Sequence, residues 1–302
     1  LLVLGTKESA MFNAVLVVIK VVALTAFVVL AVPVMKMENF EPFAPLGFGG
    51  ISAAAASIFF AYVGFDAVST AAEETKNPQR NMPIGLIGSL VICTIFYLLV
   101  ASGAIGAVGA QPVFGAAGEA LAAGSKELQQ QCAALAGAGN VPLVCSDEAL
   151  AHVLREIGYV NVGNLIGLAA FLALPSVVLM MLFGQTRIFF VMARDGLLPE
   201  GLAKVHPKFH TPHIVTMITG VFVTMAAAFF PVGQLADISN SGTLFAFMTV
   251  AIGVLILRRT APDRHRPFRT PIVWLVGPAA ILGCAYLFFN LSGYTELMFL
   301  GW

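Results

Sequence analysis

Charge is scarce in this sequence. Only 11% of its 302 residues are Asp, Glu, Lys or Arg, while 59% are hydrophobic and the mean hydropathy is +0.90. Soluble domains carry about 25% charged residues, so a soluble protein of this length could not hide so much apolar surface. The 16 basic and 16 acidic residues balance to no net charge, which argues against nucleic acid as a partner. The alternation of apolar and polar residues that marks a barrel strand is also missing, which leaves helices as the spanning structure. No basic-then-apolar leader with a small-residue cleavage site opens the chain, and its first residue is Leu1. The expectation is therefore sequence missing before Leu1 rather than a processed signal, and an eighth apolar run cut off at Trp302 gives the same expectation for the other end.

What is present is a series of long apolar runs. A bilayer core takes about 20 consecutive apolar residues as a helix. Seven runs fit, near residues 11–32, 49–72, 82–107, 162–191, 212–231, 237–257 and 271–290, and an eighth starts near Gly293. The fold expected is an all-α integral membrane protein, a single membrane domain over residues 1–302.

Lys and Arg sort by loop. Loops after the second, fourth and sixth runs carry Lys76 and Arg80, then Arg194, Lys204 and Lys208, then Arg258, Arg259, Arg264, Arg266 and Arg269. The alternate loops carry Lys36, Lys126 and Arg155. The positive-inside rule places the first group in the cytoplasm and residues 108–160 outside. That outer loop holds Cys132 and Cys145, and two readings stay open: a disulfide, or two free thiols. An Ala/Gly-rich stretch covers 115–139, and 148–156 is amphipathic, as for a helix lying on the outer surface.

Two features inside the runs carry chemistry. Lys20 sits mid-span in VVIKVVAL. An ammonium there costs ~3 kcal/mol or more. It lies ~14 Å from the cytoplasmic end at 1.5 Å per residue, too deep to snorkel. It must face protein, water or a carboxylate, or give up its proton, which makes it a candidate proton carrier; the plainer reading is a structural lysine satisfied by carbonyls. The second feature is Gly64 followed by Phe65 and Asp66, mid-run in the segment 51–85. A glycine beside an acid at membrane depth suggests a broken helix. The upper half would end near Ala61 with carbonyls suited to an ammonium, and the lower half would begin near Asp66 with its positive dipole end. Asp66 could also serve as the N-cap of that lower half.

The run FFAYVGFDAVSTAAEETKNPQRNMPIG resembles the sixth-helix signature of the amino acid–polyamine–organocation superfamily, most closely its bacterial cationic-amino-acid-transporter branch. QTRIFFVMARDGLLP at 185–199, SGTLFAF at 241–247 and RPFRTP at 266–271 resemble later motifs of that family, in its order. The resemblance covers nearly the whole chain. It implies helices five through twelve of a fold built from two inverted five-helix repeats, with the second repeat whole. It implies a substrate amine held by carbonyls at Phe60, Ala61, Tyr62 and Val63, with Gly64 allowing the break, Phe60 as a gate, and Asp66 sensing protonation or substrate charge. It implies that Lys20 takes the place of a sodium ion, with Ser176 as its eighth-helix partner; a hydroxyl bonded back to its own helix is the alternative for Ser176.

Other leads are weaker. GAIGAVGA at 103–110 has a faint likeness to a nucleotide loop but follows no strand, so close helix packing explains it better. His206, His210 and His213 lack a Cys or carboxylate to complete a metal set. Arg187, Arg194 and Asp195 could join Glu73 or Glu74 in a cytoplasmic gate, or be topology anchors. No catalytic constellation is visible, so no enzyme and no cofactor are expected. The expected function is proton-coupled secondary transport of amino acids by alternating access, in the plasma or inner membrane, with amino acid, protons and the lipid bilayer as partners. The alternative is a membrane sensor that binds amino acids without transporting them.

Overall fold

A computed structural model describes residues 6–65, 67–70, 75–115, 118, 120–121, 125–137, 141–209, 211–230, 232–266, 268–291 and 301. Among them the regular structure is helical: α1 (Thr6–Ala31), α2 (Gly47–Tyr62), α3 (Ala67–Thr70), α4 (Pro78–Val108), α5 (Lys126–Gly137), α6 (Ala149–Glu156), α7 (Val160–Arg194), α8 (His213–Phe229), α9 (Val232–Thr260) and α10 (Val273–Phe288). Met11–Val34, Pro78–Val108, Val160–Arg194 and Ile238–Thr260 are long and apolar enough to cross a membrane. The apolar helices α2, α8 and α10 are shorter, at 16 or 17 residues. Sixteen residues rise about 24 Å, less than a hydrocarbon core of about 30 Å. For α2 the shortfall has a local cause, the interruption before α3.

The chain divides into two compact units, residues 1–45 with 89–223 and residues 46–88 with 224–302. In the first, α1 and α7 pack together and α6 packs on both. Phe27, Ala31, Val153 and Leu154 are fully buried there, with Ala104 and Ile166 nearly so. The small residues of GAIGAVGA serve close packing. A Cβ at Gly103 would lie 3.3 Å from that of Ala31, and one at Gly106 would lie 2.7 Å from Met35 Cγ. The bare backbone at Gly106 also lets its carbonyl accept the Lys36 N–H at 2.8 Å and Asn39 Nδ2 at 2.7 Å. Helix α6 forms as its amphipathic pattern requires, but its apolar face, Val153 and Leu154, is sealed against protein.

Helix α5 is a feature that the Ala/Gly-rich composition of 115–139 conceals. Ser125 Oγ accepts the Leu128 N–H at 3.2 Å, an N-terminal cap, and Leu128 is buried. A disulfide joins Cys132 on α5 to Cys145, 13 residues on. Closing a loop of that size stabilises it by about 3 kcal/mol in the chain-entropy account. Replacing both cysteines by serine is therefore expected to leave the membrane helices intact and to raise the rate of limited proteolysis between residues 125 and 148. An unchanged cleavage rate would show that packing alone holds α5.

In the second unit α9 and α10 pack most extensively, and α2 lies against both. A Cβ at Gly277 would lie 2.7 Å from Leu255 Cδ2, so α10 approaches α9 closely. Ala56, Leu244 and Leu291 are buried together beneath Phe59, Cys284, Leu287 and Phe288.

Candidate functional site

The interruption between α2 and α3 falls in the second unit. Helix α2 ends at Tyr62; Val63 turns to extended backbone (φ −60°, ψ 130°), and its N–H bonds back to the Phe60 carbonyl at 3.2 Å. Gly64 then takes φ +117°, a backbone that side-chain-bearing residues rarely adopt. The α-helical ladder is thus left at Tyr62 and resumed at Ala67. Phe60, Ala61 and Tyr62 are the last residues of α2 and Val63 and Gly64 lie on the turn after it, and the Phe60 carbonyl already accepts one hydrogen bond. Asp66 lies outside the described residues.

The aromatic side chains around the turn divide into two kinds. Phe59 meets Phe247 of α9 edge-on at 6.1 Å, and Phe65 meets the same ring at 5.4 Å. Both therefore pack inward, on a residue of the SGTLFAF motif. Phe60 is 45% exposed.

Polar residues that sequence reading did not single out hold α2 in place. Asn240, 1% exposed, donates Nδ2 to the Ala56 carbonyl at 3.4 Å, one turn before Phe60. Ser52 shares a short hydrogen bond with the Tyr286 hydroxyl of α10 and also donates to the Phe48 carbonyl at 3.0 Å. Asn240 lies in the polar stretch DISNSGT of α9, which singles out no one residue, and its partner is 184 residues away in sequence.

Lys20 and Ser176 meet in the first unit. Lys20 Nζ donates to Ser176 Oγ at 2.6 Å, across 156 residues of sequence. The Ser176 hydroxyl in turn donates to the Ala173 carbonyl at 2.8 Å, so it bonds both its own helix and the lysine. Because its single proton is committed to Ala173, it offers Lys20 only lone pairs. Ser176 is 1% exposed and follows Pro175, which lacks the N–H that a helix interior uses.

The other candidates are placed as follows. Arg187 stacks over Phe183 at 4.0 Å, and Arg194 pairs with its neighbour Asp195 at 3.3 Å. Glu73 and Glu74, their suggested gate partners, lie outside the described residues, as does His210. His206 Nδ1 accepts the N–H groups of Lys208 and Phe209 at 3.2 and 3.3 Å, which makes it a turn former.

An interrupted helix near Gly64 in an apolar helical protein is the expectation from sequence; the packing of Phe247, from SGTLFAF, on Phe59 and Phe65 is a further observation. A profile of the amino acid permease family matches residues 1–300. The chain belongs to that family. It is 39% identical over 302 residues to the branched-chain amino acid permease BcaP of Bacillus subtilis strain 168, which covers all of this chain and 58% of that permease. It is 36% identical over 300 residues to the methylthioribose transporter of the same organism, again 58% of that protein. It is 32% identical over 274 residues to the chloroplastic cationic amino acid transporter 9 of Arabidopsis thaliana, covering 90% of this chain and 43% of that one. The chain thus spans less than two thirds of the length of these relatives. The permease family is one of membrane transporters rather than enzymes, and this chain is an all-α, multi-pass member of it.

Proposed function

We propose that the chain is part of a secondary active amino-acid transporter of the cell membrane, driven by protons and working by alternating access. The interruption at Val63–Phe65, with Gly64 at φ +117°, is the observation that carries this reading. A substrate ammonium docks on carbonyls of the 60–63 turn. Phe60, exposed while its aromatic neighbours are packed, closes over it. Asp66, beside the turn in sequence, adds negative charge for the amine or for a cationic side chain. Lys20 and Ser176 form the proton site: Nζ gains or loses a proton while Oγ, with its own proton committed, holds the lysine in place. Only differential stabilisation of the two access states by proton and substrate can drive the cycle. The relatives' names span branched-chain amino acids, cationic amino acids and methylthioribose; the last has no amine, so the assignment of the substrate by its amine rests on the carbonyls of residues 60–63 and not on those names.

The test is uptake by the full-length polypeptide in liposomes, with and without an imposed pH gradient. The panel comprises labelled branched-chain amino acids, labelled cationic amino acids and methylthioribose. Gradient-stimulated uptake of one amino-acid class is expected. Uptake of methylthioribose alone would overturn the amine reading. Binding without uptake would replace the transporter by a sensor.

A further inference from the structure

The loop between α9 and α10 is rich in arginine. Residues 258–269 hold five arginines and a histidine against one carboxylate, Asp263. Arg266 is consumed internally. Its guanidinium donates to the carbonyls of Leu257, Ala261, Pro262 and Arg264 at 2.7–3.1 Å, which closes the C-terminal end of α9 and fixes the loop on it. Arg259 lies over the Trp274 ring at 5.3 Å. The guanidinium groups of Arg258, Arg264 and Arg269 take no hydrogen-bond or ion-pair partner among the described residues. Like charges gathered on a fixed loop repel one another unless an anion joins them.

The surroundings favour a particular anion. Phe268, Ile272 and Trp274 are 50%, 73% and 55% exposed on the same stretch of chain, so cations alternate with exposed apolar groups. That composition suits the boundary between headgroups and acyl chains. A cleft of about 360 Å³ opens between the loop and the first turns of α4. Gln79, His265 and Arg266 give it a polar wall, and Met82, Pro83 and Phe268 an apolar one. We propose that this loop and cleft bind the phosphate headgroup of an anionic glycerophospholipid, with the lipid ester region against the apolar wall. Arg258, Arg264 and Arg269 supply the attraction, while Arg266 holds the shape.

The proposal is tested by native mass spectrometry of the purified full-length polypeptide titrated with phosphatidylglycerol or phosphatidylcholine. Phosphatidylglycerol is expected to be retained preferentially. The triple substitution Arg258→Gln, Arg264→Gln, Arg269→Gln should weaken that retention on the order of a hundredfold. The corresponding triple Arg→Lys protein should keep most of it, which separates lost charge from a disturbed fold. Equal retention of the two lipids by the unaltered protein, or undiminished phosphatidylglycerol binding by the Gln variant, would overturn the assignment. Displacement by inorganic phosphate at equal concentration would also overturn it, since the ligand would then be free phosphate rather than lipid.

Discussion

Lys20→Ala is expected to abolish stimulation of uptake by a pH gradient while leaving substrate exchange measurable. The reasoning starts from where the ammonium sits. A lysine in the middle of an apolar helix costs about 3 kcal/mol or more to keep charged. The structure gives it one hydrogen bond, 2.6 Å to Ser176 Oγ, and no ion pair among the described residues. On the proposed cycle, this group exchanges its proton as the surrounding packing changes. A difference of one pH unit supplies about 1.4 kcal/mol per proton, hence about tenfold accumulation at one proton per substrate. The variant should lose that factor entirely and equilibrate substrate to the same concentration on both sides. Lys20→Met, which keeps most of the side-chain volume, should behave as the alanine variant does if charge is the cause. Ser176→Ala should weaken coupling less, because it removes an acceptor and leaves the ammonium in place. Gradient-driven accumulation by Lys20→Ala equal to that of the unaltered protein would end the proton-site reading.

How much of this could be read beforehand follows from the kind of signal involved. Among the described residues the seven apolar runs become seven apolar helices, the second interrupted after Tyr62, because hydropathy over about 20 residues is a local property of sequence; the run near Gly293 lies outside the described residues. The interruption near Gly64 was legible for a related reason: a glycine beside an acid inside such a run contradicts its surroundings. Lys20 is legible as a chemical misfit in its helix, whereas Ser176 follows only from the family resemblance, which also pairs the two. Other contacts left no trace of that kind. Asn240 reaches Ala56, Ser52 meets Tyr286 and Arg259 stacks on Trp274 through tertiary packing, which sets no periodicity in the chain. Helix α5 was hidden differently. Its alanines and glycines read as loop composition, and only Ser125 ahead of the helix-forming run KELQQQ marked its start. The 132–145 disulfide was undecidable from spacing, because two cysteines in one loop fit either redox state.

Substitution at Gly64 is expected to have the second large effect, and it tests the substrate side independently of the proton side. At φ +117° a glycine has no Cβ to clash with the neighbouring carbonyls, whereas a β-branched residue there is a genuine outlier. Holding such a residue in this conformation costs on the order of 1–3 kcal/mol. The chain can escape that strain by rotating to negative φ, which moves the turn at 63–65 and re-aims the carbonyls before it. Gly64→Val should therefore reduce substrate affinity by on the order of a hundredfold, and Gly64→Ala by about tenfold, at 1.4 kcal/mol per factor of ten. Gly85 in α4 provides the control: a Cβ there meets nothing within 4 Å, and its φ is not positive. Gly85→Ala should be neutral or stabilise by up to about 1 kcal/mol, since alanine is the better helix former. Equilibrium binding of labelled substrate to the purified full-length variants distinguishes a lost site from lost protein, provided circular dichroism shows equal helix content. Unchanged affinity in Gly64→Val would mean that the interrupted helix is not where the substrate amine docks.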